Sequence, residues 1–385
     1  MMNNTIKLGN FISEYSVRNR AGDDIPVYSV TNKEGFCRDY FSKDVASQDR
    51  STYKIVPRGC FAYNPSRINV GSVDWQRKED RVIVSPLYVV FSVSKGLDQQ
   101  YLYYYLKSEK CLYYIKELAS GSVRDNLKLS MLKEFTIPNI TLEEQRKAVM
   151  VLEQTDRLIA LQERQMTVLD ELVKSRFVEM FGDILLNTKG WTENCLESLA
   201  DIVSGITKGR KVKEENLTEV PYMAVSNVKD GHIDWTTVKT IMATRQEINQ
   251  YRLQSDDVLM TEGGDPDKVG RGAIIKNPPT NCIHQNHIFR VRLDEGSILP
   301  TYFAEYLQHQ KAKQYFLGCA KQTTGIASIN MRQLKSLPVL LPPLELQNRF
   351  AAFVSEVDKS KLAVKQSLEK LETLKKSLMQ QYFGV

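Results

Sequence analysis

The chain has 385 residues, too many for one ordinary domain and suited to two to four units. Apolar and charged fractions of 42% and 25% exclude disordered and collagen-like classes. The net charge of +6 is uneven: +5 on residues 1–140, −3 on 141–185, and +2 on each of 186–340 and 341–385. A basic surplus on the globular parts is compatible with contacts to phosphates. No stretch approaches the ~20 apolar residues of a membrane span, and Met1 to Gly9 lacks the apolar core of a signal peptide. Six scattered cysteines with no Cys-x-x-Cys spacing read as the thiols of a reduced, cytoplasmic protein.

In chain order, residues 1–140 read as a mixed, mostly β unit. The runs Arg81–Val84 and Leu87–Phe91 lie between turn residues, and a helix is predicted near Gln100–Leu118. The tyrosines Tyr101, Tyr103, Tyr104, Tyr105, Tyr113 and Tyr114 fall at helical spacing and read as packing residues, not as a base-stacking platform. Residues 141–185 form the first long helix, opened by a capping box of Thr141 and Glu144 and closed by Gly182. Its seam is Ala148, Leu152, Thr155, Ile159, Gln162, Met166, Leu169, Val173, Arg176 and Met180. Residues 186–340 are a second mixed unit, with a strand over His287–Arg292 and a helix near Pro300–Phe316. Pro342 and Pro343 then lead into the second long helix, 341–385. Its seam is Phe350, Val354, Val357, Val364, Leu368, Leu371, Leu378 and Tyr382, with Lys361 and Lys375 in the same register. Alternating three- and four-residue steps over several heptads mark a coiled coil. Pairing the two copies antiparallel buries both stripes. Leu158, Leu161, Leu172, Phe177, Phe353, Leu362 and Leu374 lie off the seam and predict a second face for partner helices.

The two halves are copies of each other. A shift of 202 positions places Leu142, Glu143 and Gln145 on Leu344, Glu345 and Gln347, and Phe181 with Gly182 on Phe383 with Gly384. Earlier matches need small loop insertions: Asn32 with Asn227, Gly71 with Gly272, and Tyr101 and Tyr105 with Tyr302 and Tyr306. The predicted fold is therefore α+β, with a pseudo-twofold internal repeat of globular unit, long helix, globular unit, long helix.

Catalytic signatures are missing. Asn277-Pro278-Pro279-Thr280 is similar to the Asn-Pro-Pro-aromatic motif of amino-methyltransferases, but Thr280 replaces the stacking ring, so it reads as a turn. Glu262-Gly263-Gly264-Asp265 lacks the Lys-Ser/Thr ending of a phosphate loop and reads as a flexible loop near a ligand. His284 and His287 have no third ligand nearby and face opposite ways on a strand, so no metal site is predicted. A duplicated protein without an active site reads as a binder or a scaffold.

The unit-helix-unit-helix order resembles the specificity subunit of type I restriction-modification systems, the HsdS family. The segments carrying the likeness are Phe135–Gln145 (FTIPNITLEEQ), Ser175–Asp183 (SRFVEMFGD), Lys189-Gly190-Trp191, Leu341–Gln347 (LPPLELQ) and the closing Tyr382-Phe383-Gly384. The resemblance implies two target-recognition domains, 1–140 and 186–340, each reading one half of a split DNA site. It also implies docking of two methyltransferase subunits on the helices, joined by restriction/translocase subunits. S-adenosylmethionine is then expected on the methyltransferase partners and no cofactor on this chain, which does no chemistry itself. The alternative is a coiled-coil assembly scaffold whose globular units bind protein.

Sequence readout needs paired donors and acceptors, and phosphate contact needs cations or small polar groups. Polar loops at matching places give the candidate DNA-binding residues. In the first unit these are Thr31, Asn32, Lys33, Tyr63, Asn64, Ser66, Arg67, Ser120, Ser122 and Arg124. In the second they are Lys208, Arg210, Lys211, Ser226, Asn227, Lys268, Arg271, Thr323 and Thr324. The candidate coiled-coil and partner residues are Leu152, Ile159, Met166, Leu169, Val173, Val357, Val364, Leu368, Leu371 and Leu378.

Overall fold

In the computed structural model, the described residues are 4–38, 50–119, 126–211, 217–265, 268–323 and 325–384. They form two compact units: Met1–Arg164 with Lys365–Val385, and Gln165–Val364. The lines fall inside the long helices, so each unit combines a globular region with the beginning of one long helix and the end of the other. All six cysteines are free thiols. Among the described residues, no helix is long and apolar enough to cross a membrane.

The first unit is built on a four-stranded antiparallel sheet in the order Ile12–Glu14, Val89–Val93, Phe61–Tyr63, Val73–Trp75. Strand Thr5–Lys7 pairs with Thr136–Pro138 and ties the start of the domain to its end. There are two further ribbons, Ser29–Thr31 with Gly35–Cys37 and Lys54–Pro57 with Arg81–Val84, the first of which carries the turn at Thr31–Glu34. The second unit repeats the plan. Its four-stranded sheet runs Ala200–Ser204, Ile288–Leu293, Val258–Thr261, Gly272–Ile274, and Thr192–Cys195 pairs with Pro338–Leu341. Gly263–Gly264, expected as a flexible loop, is instead an edge of a small sheet paired with Ile326–Ser328. A Cβ at Gly263 would meet Ala327 O at 3.0 Å, so the approach of that strand leaves little room for a side chain.

Where one helix was expected in each unit, there are two. Gln99–Lys107 and Glu109–Ala119 break at Ser108, and Pro300–Gln308 and Gln310–Cys319 break at His309. Both breaking residues adopt extended backbone, and the Ser108 hydroxyl accepts from Cys111 N at 3.2 Å to cap the second helix. Tyr101, Tyr104 and Tyr105 are buried as packing residues, whereas Tyr113 and Tyr114 are exposed.

The long helices are Leu142–Phe181 and Leu344–Phe383, 40 residues each. Thr141 and Glu144 form the expected capping box, with Thr141 N donating to Glu144 Oε2 at 2.8 Å and Glu144 N to Thr141 Oγ1 at 3.3 Å. The first helix ends at Gly182, whose φ of +76° is open to glycine at no steric cost. Every residue of both predicted seams is buried or half-buried. In the first unit Lys375 Nζ meets Asp156 at 2.6 Å, and in the second Lys361 Nζ meets Asp170 at 2.7 Å. Each unit thus sets the start of one helix against the end of the other.

The docking of those helices is the same in both units. Gln145 Oε1 accepts from Asp98 N (2.8 Å), and its amide donates to Gly96 O and Ile140 O (both 3.1 Å). Gln347 repeats this with Leu299 N (2.8 Å), Ser297 O (3.2 Å) and Pro342 O (2.8 Å). Aromatic plugs from the ends of the long helices pack nearby. Phe383 lies 5.0 Å from the Tyr101 ring in the first unit, and Phe181 lies 4.8 Å from Tyr302 in the second. Phe177, expected on a free partner face, is instead fully buried against Phe181, Tyr302, His309 and Phe350. Phe353 is half-buried beneath the Arg176 guanidinium, whereas Leu158, Leu161, Leu172, Leu362 and Leu374 are exposed.

Candidate nucleic-acid interface

Two turns of the first unit meet around one lysine. Thr31 Oγ1 accepts from Glu34 N at 3.1 Å, closing the turn that exposes Asn32 and Lys33. Lys107, the last residue of its helix, donates to Asn32 O (2.9 Å), Asn32 Oδ1 (3.0 Å) and Gly71 O (2.5 Å). Burial brings this ammonium down to about 8, opposed by the Asp74 carboxylate and assisted by Lys375. It is therefore still charged at pH 7, and its three N–H donors match three oxygens. In the neighbouring turn Asn64 Oδ1 accepts from Ser66 N (3.1 Å), and Ser66 Oγ donates outside the turn to Asn126 Oδ1 (3.0 Å). Arg67 is exposed.

Tyr63 does not belong in this set. It is fully buried, and its hydroxyl donates to Leu127 O at 3.0 Å, because strand Phe61–Tyr63 is central and both its faces are covered. Ser120, Ser122, Arg124 and Thr324 lie outside the described residues.

In the second unit, Lys208 and Lys211 are exposed, but Arg210 is committed. Its guanidinium holds Glu247 through Nε and Nη2, both at 2.6 Å, and donates to Met242 O at 3.0 Å. Asn227 is also withdrawn. It is fully buried, accepting from Ala224 N (2.9 Å) and donating to Asp234 O (2.9 Å), while its neighbour Ser226 stays exposed. Lys268 is exposed beside Asp265, and Arg271 is half-buried with no hydrogen bond at Nε among the described residues. The backbone of Thr323 ends strand Lys321–Thr323. The matched asparagines Asn32 and Asn227 thus both organise turns, which side-chain polarity alone does not distinguish from base reading.

The Arg210–Glu247 pair gives a pH-dependent expectation. The guanidinium hydrogen bonds pull the Glu247 carboxyl from 4.5 to about 2. A depressed carboxylate contributes stability above its unfolded pKa and loses it as pH falls from about 4.5 toward 2. Glu247→Gln should cost about 1–2 kcal/mol at pH 7 and flatten the stability profile across that acid window. Urea titrations at pH 7 and pH 3 measure both, and an unchanged slope would count against the pair.

The motifs weighed for catalysis resolve structurally. Asn277 (φ +48°) and Asn281 (φ +58°) flank a turn closed by Cys282 N donating to Pro279 O at 3.0 Å. His284 is buried with its ring nitrogens facing Tyr251 O and Val203 O, and burial lowers it to about 4; His287 is exposed beside Glu262. Among the described residues, no three His, Cys, Asp or Glu side chains gather in a metal-holding group. A cleft of about 480 Å³ in the first unit is lined in part by Ser108 and Met379, and two of its lysines form ion pairs within it: Lys375 with Asp156, Lys376 with Glu109. At the matching place in the second unit, His309 stacks on Phe177 at 4.4 Å.

The sequence profile of the type I restriction modification DNA specificity domain matches twice, over residues 7–171 and 188–374. The chain belongs to that family. The putative type I restriction enzyme MjaX specificity subunit of Methanocaldococcus jannaschii is 30% identical over 190 residues, covering 49% of this chain and 45% of that protein. The EcoKI specificity subunit of Escherichia coli K12 is 24% identical over 291 residues, covering 70% and 61%. The matches span about half to three fifths of the length of these curated relatives. Among solved structures, one from work on assembly and conformational transition of the type I R-M system superposes with a TM-score of 0.59 at 16% identity, covering 98% of this chain and 97% of that one. The S subunit from M. genitalium gives 0.53 at 16% identity, covering 100% and 98%. These share the fold: two repeated α+β domains with long helices.

Proposed function

We propose that this chain is the non-catalytic specificity subunit of a type I restriction-modification enzyme, reading a bipartite double-stranded DNA site in the cytoplasm. The observation that carries the reading is the duplication itself: one sheet order, one glutamine clamp and one aromatic plug occur twice in a chain of the specificity family. Two similar readers imply two half-sites, and their divergent loops imply different sequences for each. Residues 1–140 and 186–340 are the target-recognition domains. Residues 141–185 and 341–385 form the antiparallel coiled coil that spaces them about a pseudo-twofold axis. The exposed leucines of the long helices, Leu158, Leu161, Leu172, Leu362 and Leu374, suit docking of two methyltransferase subunits, which carry S-adenosylmethionine and which restriction/translocase subunits join. Within the recognition loops Lys33, Arg67, Lys208, Lys211, Ser226 and Lys268 are the exposed groups fitted to phosphate or base edges.

A helix of 40 residues rises about 60 Å, while B-DNA presents the same face about every 34–36 Å. The test uses the full chain with its methyltransferase and sequencing of methylated sites. Two specified half-sites around an unspecified gap are expected, with binding that weakens steeply as salt rises. Matched seven-residue insertions, between Asp156 and Asp170 and between Lys361 and Lys375, keep the heptad register and add about 10 Å. They should widen the gap by roughly one to three base pairs. An unchanged gap would overturn the ruler, and a single undivided motif would overturn the two-reader assignment.

A further inference from the structure

Asn32 combines a donor and an acceptor on an exposed turn, the chemistry that pairs with adenine. Its geometry assigns it elsewhere. Its Oδ1 and its main-chain oxygen both face Lys107 Nζ, at 3.0 and 2.9 Å, and the third donor of that ammonium goes to Gly71 O. Gly71 has φ +84°, and a Cβ there would stand 2.7 Å from Asn32 Oδ1. Two turns distant in sequence, Thr31–Glu34 and Arg67–Gly71, are therefore pressed together around one cation. The far side of the same hairpin is fixed independently. Asp74 Oδ2 accepts from Phe36 N at 3.0 Å, and a Cβ on Gly35 (φ +64°) would fall 1.9 Å from that oxygen.

Each clamped turn leaves one exposed cation, Lys33 on the first and Arg67 on the second; among the described residues neither forms an ion pair. Among the described residues, the second unit has no such clamp. Gln308 stands where Lys107 does, its Nε2 unpaired among the described residues, and Asn227 bonds within its own turn.

From this juxtaposition we infer that Lys107 is a positioning residue for sequence reading by the first domain. It locks the two turns into one surface that presents Lys33 and Arg67 together, and Asn32 holds that lock without reading a base. The inference rests on the DNA-reading function proposed above. It predicts an asymmetry: disturbing the clamp blurs one half-site and leaves the other sharp.

The full chain with its methyltransferase is compared with Lys107→Met, Gly71→Ala and Asn32→Asp by sequencing the sites each methylates in cells. Lys107→Met and Gly71→Ala should relax base preference at the same single half-site, roughly tenfold or more at its strongest position. Asn32→Asp keeps the acceptor facing Lys107 but removes the donor that an adenine contact requires, so the wild-type motif is expected. A changed base preference in Asn32→Asp, or an unchanged motif in Lys107→Met, would overturn the inference. If Lys107→Met fails to fold, neither half is methylated, and Gly71→Ala with Asn32→Asp decide the question. A wild-type chain that directs no split-site methylation sinks the DNA-reading function itself, a distinct result.

Discussion

Phe177→Ala should destabilise the second unit by about 3–5 kcal/mol, the usual cost of emptying a large aromatic site in a packed core. Phe177 is fully buried, with ring centroids at 4.8 Å from Phe181, 5.4 Å from Tyr302, 4.4 Å from His309 and 5.4 Å from Phe350. These partners come from three segments of the chain: the first long helix, the Pro300–Cys319 region and the second long helix. None can follow the retreating side chain without leaving the others, so the cavity persists. Two compact units make a single global transition an unsafe assumption. Native-state hydrogen exchange is therefore the suitable readout. Amides of Leu299–Phe316 and of Phe350–Val357 should lose protection together while those of the first unit's sheet keep theirs. Equal loss in both sheets, or a cost below about 1 kcal/mol, would show that the ring is not the joint the packing implies.

Gln347→Leu is the second large effect. The glutamine is fully buried and satisfies Leu299 N, Ser297 O and Pro342 O at once. Leucine has nearly the same volume but leaves three main-chain groups without partners in a site closed to water. Each stranded group costs about 1–3 kcal/mol, partly relieved if water enters. A total of about 3 kcal/mol or more is expected, and Gln145→Leu should do the same to the first unit. Gln347→Glu separates shape from bonding, since it keeps an acceptor for Leu299 N and loses both donors. It should fall at or below the leucine variant because a carboxylate is also desolvated. Full stability in Gln347→Leu, measured by chemical denaturation, would show the clamp to be incidental.

The long helices, their seams, the capping box and the duplication were legible in the sequence because each is a pattern of spacing. Heptad periodicity depends on neighbours within a few turns, and a repeat needs only self-comparison. The interface residues are different, since polarity tells what a side chain can do and not where it points. Asn227 and Asn32 look alike in sequence, yet Asn227 turns inward on backbone groups and Asn32 turns its side-chain oxygen to the Lys107 ammonium. Tyr63 sits in a polar-looking run, Tyr63–Arg67, yet belongs to a central strand with both faces covered. Arg210 looked free, but its acid lies 37 residues away across a strand. Lys107 was missed for the same reason: its partners, Asn32 and Gly71, are 75 and 36 residues distant, and no local signal links them.

The division of the chain into units has a consequence for its birth on the ribosome. The first domain is made early, yet the aromatic plug that seals it, Phe383, lies more than 200 positions beyond Arg164. At roughly 5–20 residues per second, the N-terminal domain must wait on the order of ten seconds or more for its missing wedge. The second domain, whose Phe181 and Phe350 are both in place by then, can close first. Synthesis and completion therefore run in opposite order.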